Sequence, residues 1–298
     1  MNIEAAQDYA ERHSLQALII DVCGEIAFER YEGGYDAAKA HALYSGTKSF
    51  WGVVAVAAQV DGLLELDECV AKTFPAWADD ERKRLITLRE LLQLTSGIGF
   101  GGLGNGVPTY AKALDVAIKD APGERFTYGG IPLQVFGAVL AAKLAPRNLS
   151  PHDYLRARIL DPIGVSVASW RTLQDGTQPL PTGAFMTARS WLRYGLFILG
   201  GGSWNGATIL APESLAQCFA GSAPNPHYGL GWHVRSDLGA GEVVYASGAG
   251  GQGLYIIPSE QTVVVKFGNS SSYDHLTFLK RLLGHVRPHP SARATSRR

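Results

Sequence analysis

The sequence has little that points to a metal, a disulfide framework or a charged partner. Its only cysteines, Cys23, Cys69 and Cys218, are too few and too scattered for a set of disulfides or a zinc site. The formal net charge is zero, so the composition does not indicate binding to nucleic acid or to an anionic membrane. No run approaches the ~20 apolar residues of a membrane span. We therefore expect no cofactor, no metal and no partner other than a small molecule; the oligomeric state is not predicted.

The start of the chain lacks the pattern of a secretory signal. Residues 1–4 open an amphipathic segment with an acidic residue, where a signal would carry a basic region before an apolar core. We therefore expect a cytoplasmic protein, or a periplasmic one if a leader precedes this sequence.

Motifs of several other enzyme classes are missing from the sequence. There is no G-x-S-x-G elbow, no H-E-x-x-H and no phosphate-binding P-loop. Two stretches, 99–104 and 248–253, match G-x-G-x-x-G. The first follows a predicted helix end and the second leads into a predicted strand, so neither has the strand-to-helix context of a dinucleotide site. The histidines are scattered, and nothing indicates a Ser-His-Asp triad.

Hydrophobic patterning predicts strands near both ends of the chain and helices between them. The predicted strands are 15–22, 25–31, 242–246, 253–257 and 262–267. The predicted helices are 3–13, 45–60, a short one after the capping box that starts at Thr87, 110–119, 131–144, 150–160, 187–199 and 273–284.

This order predicts an α+β fold: an antiparallel sheet flanked by helices, built from both termini, with an inserted mainly helical domain. We expect residues 1–60 and 200–285 to form the sheet domain and 61–199 the helical insertion. Residues 286–298 are basic, contain proline and lack periodicity, which predicts a disordered tail.

The segment with the clearest chemistry is Ser45-Gly46-Thr47-Lys48, at the start of a predicted buried helix. Positions i and i+3 share a helix face with Cβ atoms ~5–6 Å apart, so the lysine can hydrogen-bond the serine. If burial lowers its pKa, the amine can also take the serine proton. One chance match to S-x-x-K is expected in a chain of this length, but Lys48 is followed by a run without other charge, unlike a solvated surface lysine.

A second candidate is Tyr128, in the segment Pro122-Gly123-Glu124-Arg125-Phe126-Thr127-Tyr128 before a predicted helix. A tyrosine at such a position often only packs against the helix. A catalytic phenolate near pH 7 would need a nearby cation to lower its pKa from ~10, and Lys48 could supply that field.

These segments, followed by a glycine-rich strand turn near the C-terminus, resemble the serine β-lactamase-like superfamily. The likeness is to the branch of class C β-lactamases, D-alanyl-D-alanine peptidases and esterases. Further segments have the family pattern: Ile86 to Gly97, Asp161-Pro162-Ile163-Gly164, Thr187-Ala188-Arg189-Ser190 and Tyr228-Gly229-Leu230-Gly231-Trp232. The resemblance covers roughly residues 10–285 and implies a β-lactamase/transpeptidase-like fold.

The resemblance also implies roles for the matching residues. Ser45 would attack the acyl carbon, and Lys48 and Tyr128 would move protons to and from the serine and the leaving group. The oxyanion hole would use the N–H groups of Ser45 and Ala249. The third motif would be Ala246-Ser247-Gly248, and these residues, with Gly130 and Tyr44, would contact substrate.

Two departures from the family pattern narrow the expected substrate. Lactamases and peptidases of the family carry a lysine or histidine where this chain has Ala246, and an asparagine where it has Gly130. Both provide polar anchors for an anionic β-lactam or a D-alanine terminus. The stretch from Ala246 to Gln252 is more similar to the esterase and 6-aminohexanoate-oligomer hydrolase members.

We therefore expect a serine hydrolase that cleaves small carboxylic esters through an acyl-Ser45 intermediate. Amide or β-lactam hydrolysis is the alternative within the enzyme class, and acyl transfer to another acceptor uses the same chemistry. The alternative outside it is an inactive homologue that only binds ligands. Of the aromatic residues near the motifs, only Tyr44 is expected to line the cleft. The others, Trp51, Trp232, Tyr245 and Tyr255, are expected in the core.

Overall fold

The computed structural model describes residues 1–285; the tail predicted at 286–298 lies outside the described residues. The α-helices are α1 (Ile3–Glu11), α2 (Ser49–Val60), α3 (Leu88–Leu92), α4 (Tyr110–Leu114), α5 (Ile131–Leu144), α6 (Pro151–Leu155), α7 (Ala188–Leu199), α8 (Pro212–Ala216) and α9 (His275–Leu282). The strands are β1 (Leu15–Val22), β2 (Glu25–Tyr31), β3 (His41–Ala42), β4 (Ser169–Trp170), β5 (Ala184–Met186), β6 (Ser203–Trp204), β7 (Ala207–Thr208), β8 (His233–Arg235), β9 (Val243–Gly248), β10 (Gln252–Ile257) and β11 (Thr262–Gly268).

Across the described residues, the main sheet has six antiparallel strands in the order β2-β1-β11-β10-β9-β8. The N-terminal hairpin and the C-terminal strands therefore meet in one sheet, because β1 pairs with β11. This confirms the predicted α+β fold built from both termini. Within residues 1–285, no helix combines the length and the apolar character needed to cross a membrane.

The sheet is covered on both faces, which explains why its central strands are almost continuously apolar. On β1, Leu18 and Ile20 pack with α1 and α9, whereas Ala17 and Ile19 belong to the larger core that includes α2 and α7. Strands buried on both faces lose the polar–apolar alternation of a half-exposed sheet. The sheet thus forms a rigid support for the elements on the side of α2.

Several predicted elements end or begin elsewhere in the structure. The helix predicted at 110–119 stops at Leu114, because Ile118 pairs with Ile98 in an isolated β-bridge. The helix predicted at 150–160 changes to a π-helical turn over Arg156–Leu160. Strand β8 was not predicted, since three residues give too short a pattern.

The helix predicted at 187–199 is α7, which packs on the sheet at Gly195, against Val263 and Leu254. The division into two domains stays a prediction.

Helix α2 lies at the centre of the molecule. Its residues from Ser49 to Ala58 are all buried, as expected for a helix that is apolar on every side. Gly52 allows the closest contact, because a Cβ there would collide with the backbone carbonyl of Leu230. Gly231, at a φ of +82°, lies as tightly against the Lys48 carbonyl. The loop before β8 therefore fixes the N-terminal end of α2.

Gly52→Ala is expected to lower the free energy of unfolding by ~1–3 kcal/mol, the usual cost of overpacking. In an open helix the same change would raise stability by up to ~1 kcal/mol, because alanine is the better helix former. The measurement is the urea midpoint. Gly106→Ala, at a position with open space around the added Cβ, serves as the control. Equal or higher stability of Gly52→Ala would contradict the predicted contact.

Candidate active site

Ser45 and Lys48 lie on one short 3-10 helix, Tyr44–Lys48, that leads directly into α2. The Lys48 Nζ donates a hydrogen bond to the Ser45 Oγ at 3.1 Å. Ser45 is partly exposed, whereas Lys48 is buried, with 1% of its surface accessible. Ser45 therefore reaches the surface, whereas the amine that contacts its hydroxyl lies in the interior.

The surroundings of Lys48 favour the neutral amine. Its second hydrogen bond goes to a neutral group, the Pro181 backbone carbonyl oxygen, at 3.1 Å. Burial lowers the pKa of Lys48 to about 7, because removing water disfavours the ammonium form. A substantial share of the molecules therefore carries a neutral amine at neutral pH, and only that form can accept the Ser45 proton.

Tyr128 lies on the other side of the pair, in the loop that leads into α5. The Lys48 Nζ is 4.9 Å from the centre of its ring. Burial raises the pKa of the Tyr128 phenol, and a hydrogen bond with Ser45 offsets only part of that rise. A phenolate, for which the sequence analysis required a cation near Tyr128, is therefore not favoured, because burial raises the pKa of the phenol and also disfavours the ammonium form of Lys48. A protonated phenol can donate a proton or relay one.

The third motif reaches the site through β9. Gly248 packs on the turn that holds Ser45, because a Cβ there would collide with the Leu43 carbonyl. Ala249 follows β9 directly and is exposed; its role as a second oxyanion donor stays a prediction. Such donors act by being fixed before charge develops.

Two residues predicted to contact substrate are buried in the structure. Ala246 is buried, 1% exposed, in the core beside α2. Gly130 is buried, and its N–H donates to the Gly101 carbonyl at 2.8 Å. A side chain at Gly130 would collide with the Gly102 carbonyl, so an asparagine does not fit in this position. The register of β9 determines the position of Ala246, and contact with the loop around 101–102 determines that of Gly130. Both depend on segments that are distant in the sequence.

His233 on β8 was missed by the sequence analysis. Its Nε2 lies 3.0 Å from the Ser247 Oγ, and its ring stacks on Tyr245 with centroids 4.7 Å apart. The rings of His233 and Tyr228 pack edge to face with centroids 5.1 Å apart, and those of Tyr228 and Tyr128 do the same with centroids 6.3 Å apart. The position directly after the Tyr228-to-Trp232 motif was the available signal, but the pairing of β8 with β9 is not visible in the sequence.

His233 is neutral at physiological pH. Burial, followed by the positive charges of Lys48 and Arg235, lowers the pKa of His233 to about 4. The neutral ring therefore holds the hydroxyl of Ser247 without adding a charge to the cleft. The cleft therefore gains no positive charge from His233, and none from position 246, where this chain has Ala246.

Tyr44, which was predicted to line the cleft, lies in the wall of an open cavity and directly precedes Ser45. It is 47% exposed and has a φ of +48°, an uncommon conformation for a residue other than glycine. The cavity has a volume of about 340 Å³. The other aromatic candidates are in the core: Trp51, Trp232 and Tyr255 are fully buried and Tyr245 is 7% exposed.

In residues 1–285, no group of His, Cys, Asp or Glu side chains has the arrangement of a metal site.

Comparison with known proteins bears on the family and the fold. The family model described as Beta-lactamase matches residues 3–284. No curated protein matches the chain. Three solved structures share the fold. A candidate 6-aminohexanoate-dimer hydrolase from Bacillus anthracis has a TM-score of 0.79 and 17% identity, over 93% of this chain and 79% of that one.

The second is EstCE1, described as a hydrolase with promiscuous acyltransferase activity, with a TM-score of 0.74 and 17% identity over 95% of this chain and 98% of its own. The third is a family VIII carboxylesterase, with a TM-score of 0.71 and 13% identity over 93% of this chain and 95% of its own. At such identities the likeness is one of fold. The family match, which spans nearly the whole described chain, shows that this protein belongs to the beta-lactamase family.

Proposed function

We propose that the protein is a serine hydrolase that cleaves small carboxylic esters through an acyl-Ser45 intermediate. The observation that carries the proposal is the 3.1 Å contact between the Ser45 hydroxyl and a buried Lys48 amine whose pKa is lowered to about 7. Serine alone is a weak nucleophile at neutral pH, and an adjacent neutral amine removes that limitation. Lys48 is the general base of the first step, and Tyr128 supplies or relays protons.

In the first half of the reaction, the Ser45 Oγ bonds to the ester carbonyl carbon as its proton passes to Lys48. The carbonyl oxygen becomes an oxyanion held by the N–H groups of Ser45 and Ala249. When the tetrahedral intermediate collapses, the bond to the alcohol oxygen breaks. The alcohol leaves with a proton returned from Lys48, directly or through Tyr128.

In the second half, water attacks the acyl carbon and gives its proton to Lys48. The bond to Ser45 breaks, the Ser45 oxygen takes the proton back, and the carboxylic acid is released. The sum is one ester and one water converted to one acid and one alcohol, with the protein regenerated. If another alcohol replaces water, the same steps give acyl transfer. The description of EstCE1 as a promiscuous acyltransferase is consistent with that branch.

Amide or β-lactam hydrolysis is the second candidate. The name of the Bacillus anthracis structure favours it, whereas the missing cation at Ala246 and the missing asparagine at Gly130 disfavour anionic lactams and peptides. Side-by-side assays with p-nitrophenyl acetate and nitrocefin separate the two. We expect faster turnover of the ester, and faster turnover of nitrocefin would reverse the order.

Ser45→Ala is expected to abolish labelling by a fluorescent phosphonate and to lower the hydrolysis of p-nitrophenyl acetate at least ~1,000-fold, because the acyl-enzyme cannot form. Ser271→Ala, which changes an exposed serine, is the control and should behave as wild type. Labelling of the native chain that persists in Ser45→Ala would exclude Ser45 as the nucleophile. No labelling and no turnover in either protein would favour a ligand-binding homologue without activity.

The rate of Ser45 acylation is expected to rise with pH through about 7 and then to level off, because only the neutral amine of Lys48 accepts the proton. His233 titrates near pH 4 and the pKa of Tyr128 is raised, so neither adds an inflection close to neutrality. Stopped-flow acylation by p-nitrophenyl acetate measures the profile. Tyr128→Phe should lower the plateau but keep the inflection. A rate that is flat or falling with pH would contradict a lysine base.

His233→Phe is expected to lower kcat/KM about 5-fold, since the ring can still stack on Tyr245 but no longer holds the Ser247 hydroxyl. A hydrogen bond contributes ~1 kcal/mol, which corresponds to that factor. His227→Phe, at an exposed histidine, is the matched control. His233→Asn should recover part of the loss while the unfolding midpoint stays close to that of His233→Phe. An unchanged kcat/KM in His233→Phe would show that the pair has only a structural role.

A further inference from the structure

Two residues that line the cavity are direct sequence neighbours of groups in the proposed active site. Tyr44, which lines it, directly precedes Ser45, and Thr182, which also lines it, directly follows the carbonyl partner of Lys48. Its volume of about 340 Å³ is within the ~300–1,000 Å³ of small-molecule sites. A substrate whose reacting carbon lies at Ser45 can therefore extend into this cavity.

The lining is mainly apolar. Ala42, Tyr44, Trp170 and Phe185 contribute to the wall, and Tyr44 and Phe185 are exposed aromatic side chains, at 47% and 38%. Large apolar side chains left open to solvent in a concave site indicate a ligand that covers them. The part of the substrate that crosses this wall is therefore apolar.

Arg171 is the exception in the cavity wall, because it brings a positive charge that has no carboxylate partner within residues 1–285. Its Nη1 donates to the neutral side chain of Asn105 at 3.1 Å. Its Nε and Nη2 are buried and have no hydrogen-bond partner among the described residues. The main chain holds the residue in place, since the Arg171 N–H donates to the Gly183 carbonyl at 2.9 Å.

Several other arginines are paired with carboxylates. Arg89 binds both carboxylate oxygens of Asp67, and Arg189 binds both of Glu29. A guanidinium matches a carboxylate with two parallel hydrogen bonds, and such pairs are among the stronger polar contacts in proteins. Buried donors without a partner are costly. An anionic group that enters the cavity would supply the missing partner of Arg171.

We propose that this cavity binds the far end of the substrate and that Arg171 pairs there with a carboxylate. The substrate class is then an ester whose acyl or alcohol part is apolar and ends in a carboxylate. This inference rests on the proposed ester hydrolysis at Ser45 and narrows its substrate. Arg171 acts in binding and is separate from the proton transfers of Lys48 and Tyr128.

The test compares pairs of esters that differ in terminal charge. One pair carries the charge on the acyl part: p-nitrophenyl hexanoate and the mono-p-nitrophenyl ester of adipic acid. The other carries it on the leaving group: 4-propylphenyl acetate and 3-(4-acetoxyphenyl)propanoate. Values of kcat/KM are divided by the rates of alkaline hydrolysis, so that intrinsic reactivity cancels. We expect at least a ~10-fold preference for the acid in one pair, and that pair identifies the part of the substrate in the cavity.

Arg171→Met should remove this preference, whereas Arg171→Lys should keep part of it. Arg84→Met, at an exposed arginine, is the control and should keep all of it. Thermal unfolding checks that each variant is folded. If wild type hydrolyses the neutral esters without preferring the acid in either pair, the inference is overturned and ester hydrolysis stands.

A preference that survives in Arg171→Met would also overturn the inference, because the carboxylate would then be bound elsewhere. If wild type hydrolyses none of the four esters, ester hydrolysis itself is refuted, and the proposed substrate class with it. The comparison in wild type does not depend on the folding of any variant.

Discussion

The proposed hydrolysis depends on one buried amine held against one hydroxyl. Lys48 has hydrogen bonds only to neutral oxygens, those of Ser45 and Pro181, among the described residues. A carboxylate partner would keep the ammonium form and remove the base. The burial that lowers the pKa also has a cost: the unfolded chain binds more protons between pH ~7 and ~10.5. The destabilisation is therefore complete below pH 7 and disappears above ~10.5.

Close backbone contacts keep this arrangement in place, and glycine makes them possible. Gly52 and Gly231 let the loop before β8 press on the start of α2, while Gly248 lets β9 approach the turn that carries Ser45. The sheet formed by both termini thus reaches the nucleophile through β9, and the core around α2 reaches it through Lys48. A rigid support of this kind holds catalytic groups in reacting geometry at low entropic cost.

Local patterns in the sequence predicted what is local in the structure. Helix α5 covers its predicted range, the capping box at Thr87 forms as expected, and the N-terminal hairpin turns at Cys23-Gly24. The three-residue spacing of Ser45 and Lys48 predicted the hydrogen bond between them. What was missed depends on pairing between distant segments. His233 meets Ser247 only because β8 joins β9, and Arg171 reaches the cavity only because β4 pairs with β5. The protonation of Tyr128 depends on burial, which its loop sequence does not reveal.

The most direct test of the account is the ionisation of Lys48 in the folded protein. NMR of lysine labelled with carbon-13 at Cε follows each amine through a pH titration, and Lys48→Arg assigns the signal. The account predicts that the Lys48 signal titrates near pH 7, several units below those of exposed lysines. A Lys48 signal that stays in the ammonium form up to pH ~10 would contradict it, because no neutral amine would then be present to activate Ser45.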